Sequence, residues 1–411
     1  MEKLDKILKS YVAEGDETKE KVFGAAFSVV NKDGIIYQGA AGRTDLPVTS
    51  PRFATDSFSW VASLTKIITA TAIMQLVEKG LTKLDDDVRP LVPELAKMQI
   101  LRGFDEDGKP ILEDNVKPIT LRNLVTHTVG LGYDVADPDL MKWSAAVGRT
   151  VTNLSFTFDG WNTPLKFAPG DGWYYGSAMD WAGKALEAVT GQSLGQYMTE
   201  NIFKPLGMHD TTFHPLNLAE RAKDRKVACS FRDADSGLLS IGAQPTPVDP
   251  PAESGGAGLH TTAADHVKVL RALLRALSGD GDTPLVSKET AEEMLRPQLS
   301  EVQQQMLQSL TGQFHDAMAP EFPLGTPLNH GISGIINTED VVGRRRKGSM
   351  MWIGMCNGHW WIDRETGIAA TLLVNVLPQP DAVVNKLYNE LEDAVYGELL
   401  PSLKARCGGR K

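Results

Sequence analysis

The sequence has little cysteine and no metal-binding spacing. Three cysteines, Cys229, Cys356 and Cys407, lie far apart in a chain of 411 residues, which excludes a disulfide framework. The eight histidines form no His-Glu-x-x-His pair and have no Cys-x-x-Cys partner set, so no metal site is expected. No apolar run approaches the roughly 18–20 residues that a membrane helix needs, so no membrane insertion is expected. Met1–Gly15 is charged and lacks the apolar centre of a signal peptide. Cys407 stands one position too far from the end for prenylation. With so few cysteines, these features read as a cytoplasmic protein. Basic charge is in deficit, 42 residues against 52 acidic, for a net charge of −10. That argues against nucleic acid or an anionic membrane surface as partner, since both require clustered Lys and Arg. The Gly-x-Ser-x-Gly elbow of other hydrolases is missing; Gly331-Ile332-Ser333-Gly334-Ile335 fails at its last position. Gly255-Gly256-Ala257-Gly258-Leu259 lacks both the dinucleotide spacing and the phosphate-loop lysine, and reads as a tight turn or a site wall. No cofactor is therefore expected.

What is present suits a large core: 42% of residues are hydrophobic and 23% charged. Leu4, Ile7, Leu8, Tyr11 and Val12 repeat at helical spacing. Val22–Asn31 and Ile35–Gly39 flank Asp33-Gly34 and read as a hairpin. Near the other end, Ser349–Met355, His359–Asp363 and Ile368–Val376 read as strands, and Ala382–Leu399 as a helix. The simplest arrangement is an α/β (α+β) fold. One antiparallel sheet is built from both ends of the chain (1–80 plus 331–411) and flanked by helices, with a mostly helical unit (81–330) inserted. Gly242–Gly258 and Gly312–Gly334 read as long loops.

Three segments carry candidate chemistry. Ser63-Leu64-Thr65-Lys66 opens an apolar helix. Residues three apart share a helix face, so the Lys66 ammonium can reach the Ser63 hydroxyl, and a serine in the first turn sits near free backbone N–H groups. Taken alone, the pair reads more readily as an N-cap followed by a solvated lysine. In the second segment, Pro169-Gly170-Asp171-Gly172-Trp173-Tyr174-Tyr175-Gly176-Ser177 precedes a helix, and Tyr175 projects from a tight loop. A neighbouring cation favours the phenolate form of a tyrosine, which makes this residue a candidate base for a serine; an ordinary aromatic-loop tyrosine is the alternative. In the third, Arg344-Arg345-Arg346-Lys347 leads into a strand with Trp352-Ile353-Gly354, where a glycine suggests close approach of another backbone. A buried strand after a solvated charge run is the alternative. His127, within Leu121–Leu131, reads as a hydrogen-bonded core histidine.

The order Ser63-x-x-Lys66, Tyr175-x-Ser177, Trp352-x-Gly354 resembles the serine β-lactamase and penicillin-binding-protein superfamily. Thr126-His127-Thr128-Val129-Gly130-Leu131 resembles a segment of its class C and esterase branch, to which the fungal polyketide acyltransferases belong. The likeness runs over nearly the whole chain and is strongest at Ile119–Leu131, Trp173–Gly191 and Gly331–Gly367. It implies a β-lactamase-like fold, Ser63 as the acylated nucleophile, Lys66 and Tyr175 as its proton partners, and an oxyanion hole from the N–H groups of Ser63 and Met355. Trp60, Trp173, Ser177, Trp352, Ile353 and Gly354 would contact substrate. Two positions depart from the β-lactamases: Ser177 stands where they carry an asparagine, and Trp352 where they carry a lysine. A neutral indole there argues against β-lactam or peptide carboxylates and favours apolar acyl substrates.

The implied activity is acyl transfer from a carrier-protein or coenzyme A thioester, or an ester, to a hydroxyl of a secondary-metabolite acceptor. A carboxylesterase using water and an inactive binding relative are the alternatives. Partners are then a small-molecule donor and acceptor. Arg344–Lys347 is a candidate contact for a phosphopantetheine or an acidic carrier domain, with a solvated hairpin as the stronger alternative. Met355, beside the implied oxyanion position, is expected to limit acyl length.

Overall fold

The computed structural model describes residues 1–279 and 285–403; Cys407 lies outside them. The first helix, Glu2–Tyr11, buries the four residues of its apolar stripe, Leu4, Ile7, Leu8 and Tyr11. Strands β1 (Gly24–Asn31) and β2 (Ile35–Gly42) pair as the predicted hairpin. Its turn is held by Asn31, whose Oδ1 accepts from the N–H groups of Asp33 at 3.0 Å and Gly34 at 2.9 Å. Five later strands join them: β3 (Leu328–His330), β4 (Ile335–Asn337), β5 (Met350–Ile353), β6 (His359–Asp363) and β7 (Ile368–Leu373). Among the described residues the sheet order is β2-β1-β7-β6-β5-β4-β3. Every neighbouring pair is antiparallel.

The two ends of the chain meet where β1 pairs with β7, with Phe27 opposite Leu372 and Ser28 opposite Thr371. Successive side chains point to opposite faces. On one face Phe27 and Trp361 stack at 5.9 Å, and Trp361 packs on Tyr388 of the helix Ala382–Ala394. On the other, Thr371 Oγ1 meets His266 Nδ1 of the helix Ala263–Ser278 at 2.9 Å. Burial on both faces explains why β6 and β7 read as continuous apolar runs rather than alternating ones.

The structure departs from the sequence reading in three places. Within Gly312–Gly334, read as loop, the ends of the helix Glu301–Gln313 and the short helix His315–Met318 are followed by β3. β3 and β4 have three residues each, too few to show a period, and exist because β5 offers an edge. The run Ile368–Val376 splits: β7 ends at Leu373, and Val376–Leu377 crosses to pair in parallel with Cys229–Arg232. The middle of the chain also carries short antiparallel pairs, Gln99–Phe104 with Pro110–Asp114 and Ser59–Trp60 with His260–Thr261. No helix among the described residues is long and apolar enough to cross a membrane.

Candidate active site

The helix Thr65–Glu78 is buried from Thr65 to Leu76, as its all-round apolar sequence requires. It is entered through a single tight turn, Ala62–Leu64, in which Ala62 has φ 45°. Thr65 locks that turn: its Oγ1 donates to Ala62 O at 2.7 Å and accepts from Leu259 N–H at 3.1 Å. Ser63 is thereby held at the helix mouth, with Lys66 one turn inward and 0% exposed. A buried ammonium needs a partner for each donor. Lys66 Nζ donates to Ser63 Oγ at 3.0 Å, Gly256 O at 2.7 Å and Tyr133 OH at 3.3 Å.

Tyr175 reaches the same point from the loop before the helix Ala178–Thr190, its OH 2.8 Å from Ser63 Oγ. Its loop is clamped against the His127–Gly132 segment. A Cβ on Gly176 would lie 2.3 Å from Leu131 O, and Tyr174 N–H donates to His127 O at 3.0 Å. Trp352 Nε1 donates to the Tyr175 oxygen at 3.2 Å, and Lys66 Nζ lies 4.8 Å from the Tyr175 ring centre. Gly354 has the close approach expected of it: a Cβ there would lie 2.7 Å from Val61 O and 3.6 Å from Ser63 N. The β5 backbone therefore passes directly by the Ser63 turn and brings Met355 to the same cavity.

That cavity has a volume of about 430 Å³. Ser63, Tyr175, Trp60, Trp173, Trp352, Ile353 and Met355 all line it. Ser177 does not: it is buried and donates to Trp161 O at 3.4 Å, because its position at the start of the helix turns the side chain into the core. His127 is buried as expected but is not the hydrogen-bonded residue predicted. Neither ring nitrogen has a partner, and the ring packs 4.9 Å from that of Tyr175. Burial, with His330 and Lys66 nearby, holds it neutral well below the usual histidine range.

The basic run is only partly a solvated hairpin, with Arg346 and Lys347 exposed but Arg345 in the core. Arg345 is 1% exposed and paired with Glu392 at 2.8 Å and Glu321 at 3.3 Å. Arg344 pairs with Asp393, and Arg346 with Asp340.

Two participants escaped sequence reasoning, Tyr133 and Asp180, while Gly256, expected in a turn or wall, receives Lys66 through its carbonyl. Burial pushes the Tyr133 phenol well up, so it meets Lys66 as a neutral group. Asp180 Oδ1 accepts from Ser254 Oγ at 2.5 Å and Gly256 N–H at 3.0 Å, fixing the loop whose carbonyl receives Lys66. Burial raises its carboxyl against the pull of the Lys66 ammonium. A Cβ on Gly256 would lie 2.8 Å from Asp180 Oδ2, the close packing of the tight turn expected there. Neither Tyr133 nor Asp180 carries a local spacing signal; each contact depends on the fold.

The beta-lactamase family model matches residues 4–394. A lovastatin esterase of Penicillium rubens is 32% identical over 92% of this chain and 94% of its own length. A monacolin J acid methylbutanoyltransferase of Aspergillus terreus is 33% identical over 85% of this chain and 84% of its own. The solved structure of unliganded simvastatin synthase from Aspergillus terreus superposes with a TM-score of 0.84 at 28% identity, covering 97% of this chain and 98% of that one.

Proposed function

The chain belongs to the beta-lactamase family, and from that premise we propose that it moves an acyl group from a thioester or ester donor to a hydroxyl acceptor through acyl-Ser63. The observation that carries this reading is the double contact on Ser63 Oγ, with Tyr175 OH at 2.8 Å and Lys66 Nζ at 3.0 Å, beside an aromatic-lined cavity. Ser63 Oγ bonds to the acyl carbon while its proton passes to the Tyr175 oxygen, which acts as the base beside the Lys66 ammonium. The backbone N–H groups of Ser63 and Met355 receive the oxyanion. The carbon–sulfur or carbon–oxygen bond then breaks, and the leaving group takes the proton. In the second half an acceptor hydroxyl attacks the same carbon, gives its proton to the Tyr175 oxygen, and Ser63 regains it as the new ester leaves.

The acceptor we propose is a secondary-metabolite alcohol, in line with the transferase relative. Hydrolysis is the second reading, favoured by the relative named as an esterase, which matches over more of both chains. An inactive scaffold fits poorly with three reactive side chains in mutual contact. Coenzyme A and a carrier domain are both proposed as donors; within Arg344–Lys347 the three arginines are paired, which leaves a carrier chiefly the exposed Lys347. We also propose a cytoplasmic location, on composition. The proposed units, 1–80 with 331–411 and 81–330, would meet at this cavity, with the helix Ala263–Ser278 lying against the sheet.

The test is intact-protein mass after mixing with a small acyl thioester. Wild type is expected to gain one acyl group and Ser63→Ala none. An adduct lasting minutes in water supports transfer, and rapid loss supports hydrolysis. Absence of any adduct in wild type, together with no labelling of Ser63 by a serine-reactive phosphonate, would overturn the reading.

A further inference from the structure

Asn153 lines the cavity and is 6% exposed. Its backbone is held at both ends: its N–H donates to Asp134 Oδ1 at 2.9 Å, and its carbonyl accepts from Trp161 Nε1 at 3.2 Å. Asp134 is itself fixed by Arg149 at 2.5 Å, and Arg149 donates onward to Gly160 O at 2.9 Å. Yet the side-chain Oδ1 of Asn153 has no partner. Leaving a buried amide oxygen unpaired is unfavourable, so a firmly held residue with an idle amide points to a group supplied from outside the chain. An amide offers donors and an acceptor but no charge.

The charges of the wall lead to the same chemistry. Among the described residues lining the cavity are two carboxylates, Asp137 and Asp180, and no lysine or arginine. The cations bonded to this wall are already engaged. Lys166 binds Asp137 and Asp139, Arg149 binds Asp134, and Lys66 is held at Ser63. An anionic substrate would lose its hydration and find no free counter-ion.

We propose that Asn153 is a specificity residue whose side-chain amide hydrogen-bonds a neutral polar group of the substrate, Oδ1 accepting from a hydroxyl or Nδ2 donating to an ester or lactone carbonyl. The site then takes neutral acceptors, alcohols whose acid groups are esterified or lactonised, over those carrying a free carboxylate. This inference rests on the acyl-transfer reading above, and its test separates the two.

Acyl-Ser63 is formed with a small acyl thioester and chased with a long-chain ω-hydroxy methyl ester or with its free acid. The ester is expected to discharge the enzyme at least about tenfold more efficiently, and Asn153→Leu to raise the ester concentration needed about fivefold, the loss of one hydrogen bond. Asn153→Arg should narrow the ester-to-acid ratio about tenfold and the isosteric Asn153→Asp should widen it. A folding fault would not move the ratio in opposite directions. Equal discharge by ester and acid in wild type, or a ratio unmoved in both charged variants, would overturn the proposal. If wild type never acquires an acyl group and Ser63 takes no phosphonate label, the transfer reading has failed. Calorimetric binding of the same ester and acid then decides the inference alone, with tighter binding of the ester supporting it and equal or weaker binding overturning it.

Discussion

The floor of the cavity and its wall are built on opposite plans. At the floor, polar side chains hold one another: Ser63 to Tyr175 and Lys66, Tyr175 to Trp352, Lys66 to Gly256, and Gly256 to Asp180. Along the wall, Leu154, Phe156, Trp161 and Leu310 present apolar surface, and Asn153 has an idle oxygen. A network with every member paired is rigid and places reacting atoms before substrate arrives. A wall with unused hydrogen-bonding capacity is completed by the ligand. The contrast assigns chemistry to the floor and choice of substrate to the wall.

The contrast breaks if the floor tolerates change. Tyr175→Phe removes the one oxygen that bridges Ser63 and Trp352. We expect acylation, followed by time-resolved intact mass, to slow about 10³-fold, within the range of a lost proton-transfer group. A rate within a few-fold of wild type would leave the base elsewhere. Gly354→Ala is expected to slow acylation about 10²-fold, as for a displaced oxyanion donor. Its new methyl carbon would lie 2.7 Å from Val61 O and 2.8 Å from Leu64 Cδ1, forcing β5 away from the Ser63 turn. Wild-type rates in that variant would show that the approach of these two backbones is irrelevant to the chemistry.

The same division explains what was legible in the sequence. Ser63 and Lys66 lie on one helical turn, so spacing alone allows their contact. Strands β1, β2 and β5 to β7 showed as apolar runs set off by turn residues. The residues that complete the floor did not show. Lys66 meets Gly256 and Tyr133 across 190 and 67 positions of sequence, and no local pattern encodes such pairs. Arg345 misled for the same reason. It sits in a basic run that reads as solvated, but its carboxylate partners Glu321 and Glu392 are 24 and 47 positions away. Trp361 lies 4.9 Å from its guanidinium. Ser177 was placed in the site through its motif position, whereas its direction is set by the helix that it begins. Asn153 belongs to the wall, where neither spacing nor resemblance marked it.

The floor also depends on neutral histidines packed behind it. Burial holds His330 down to about 3, and His127 lies well below its ordinary value. Elsewhere in the core His260 and His359 are held down to about 3 and His266 to about 4. In the unfolded chain each ring takes up a proton near pH 6.5. Between those limits the unfolded state binds more protons than the folded one, so the stability from these rings is complete above pH 6.5 and is lost as pH falls. Glu321, raised to about 7 by burial, works in the opposite direction over part of the interval, as do Asp180 and Glu187, which burial also raises, but these are three groups against five. Each ring contributes up to about 1.4 kcal/mol per pH unit, so urea unfolding should show a loss of several kcal/mol between pH 7 and pH 5. His330→Gln should lower that slope by about one proton, because a neutral amide has nothing to titrate there. Equal stability at the two pH values would mean that the space behind Tyr175 admits a charged ring. The floor would then be as adaptable as the wall.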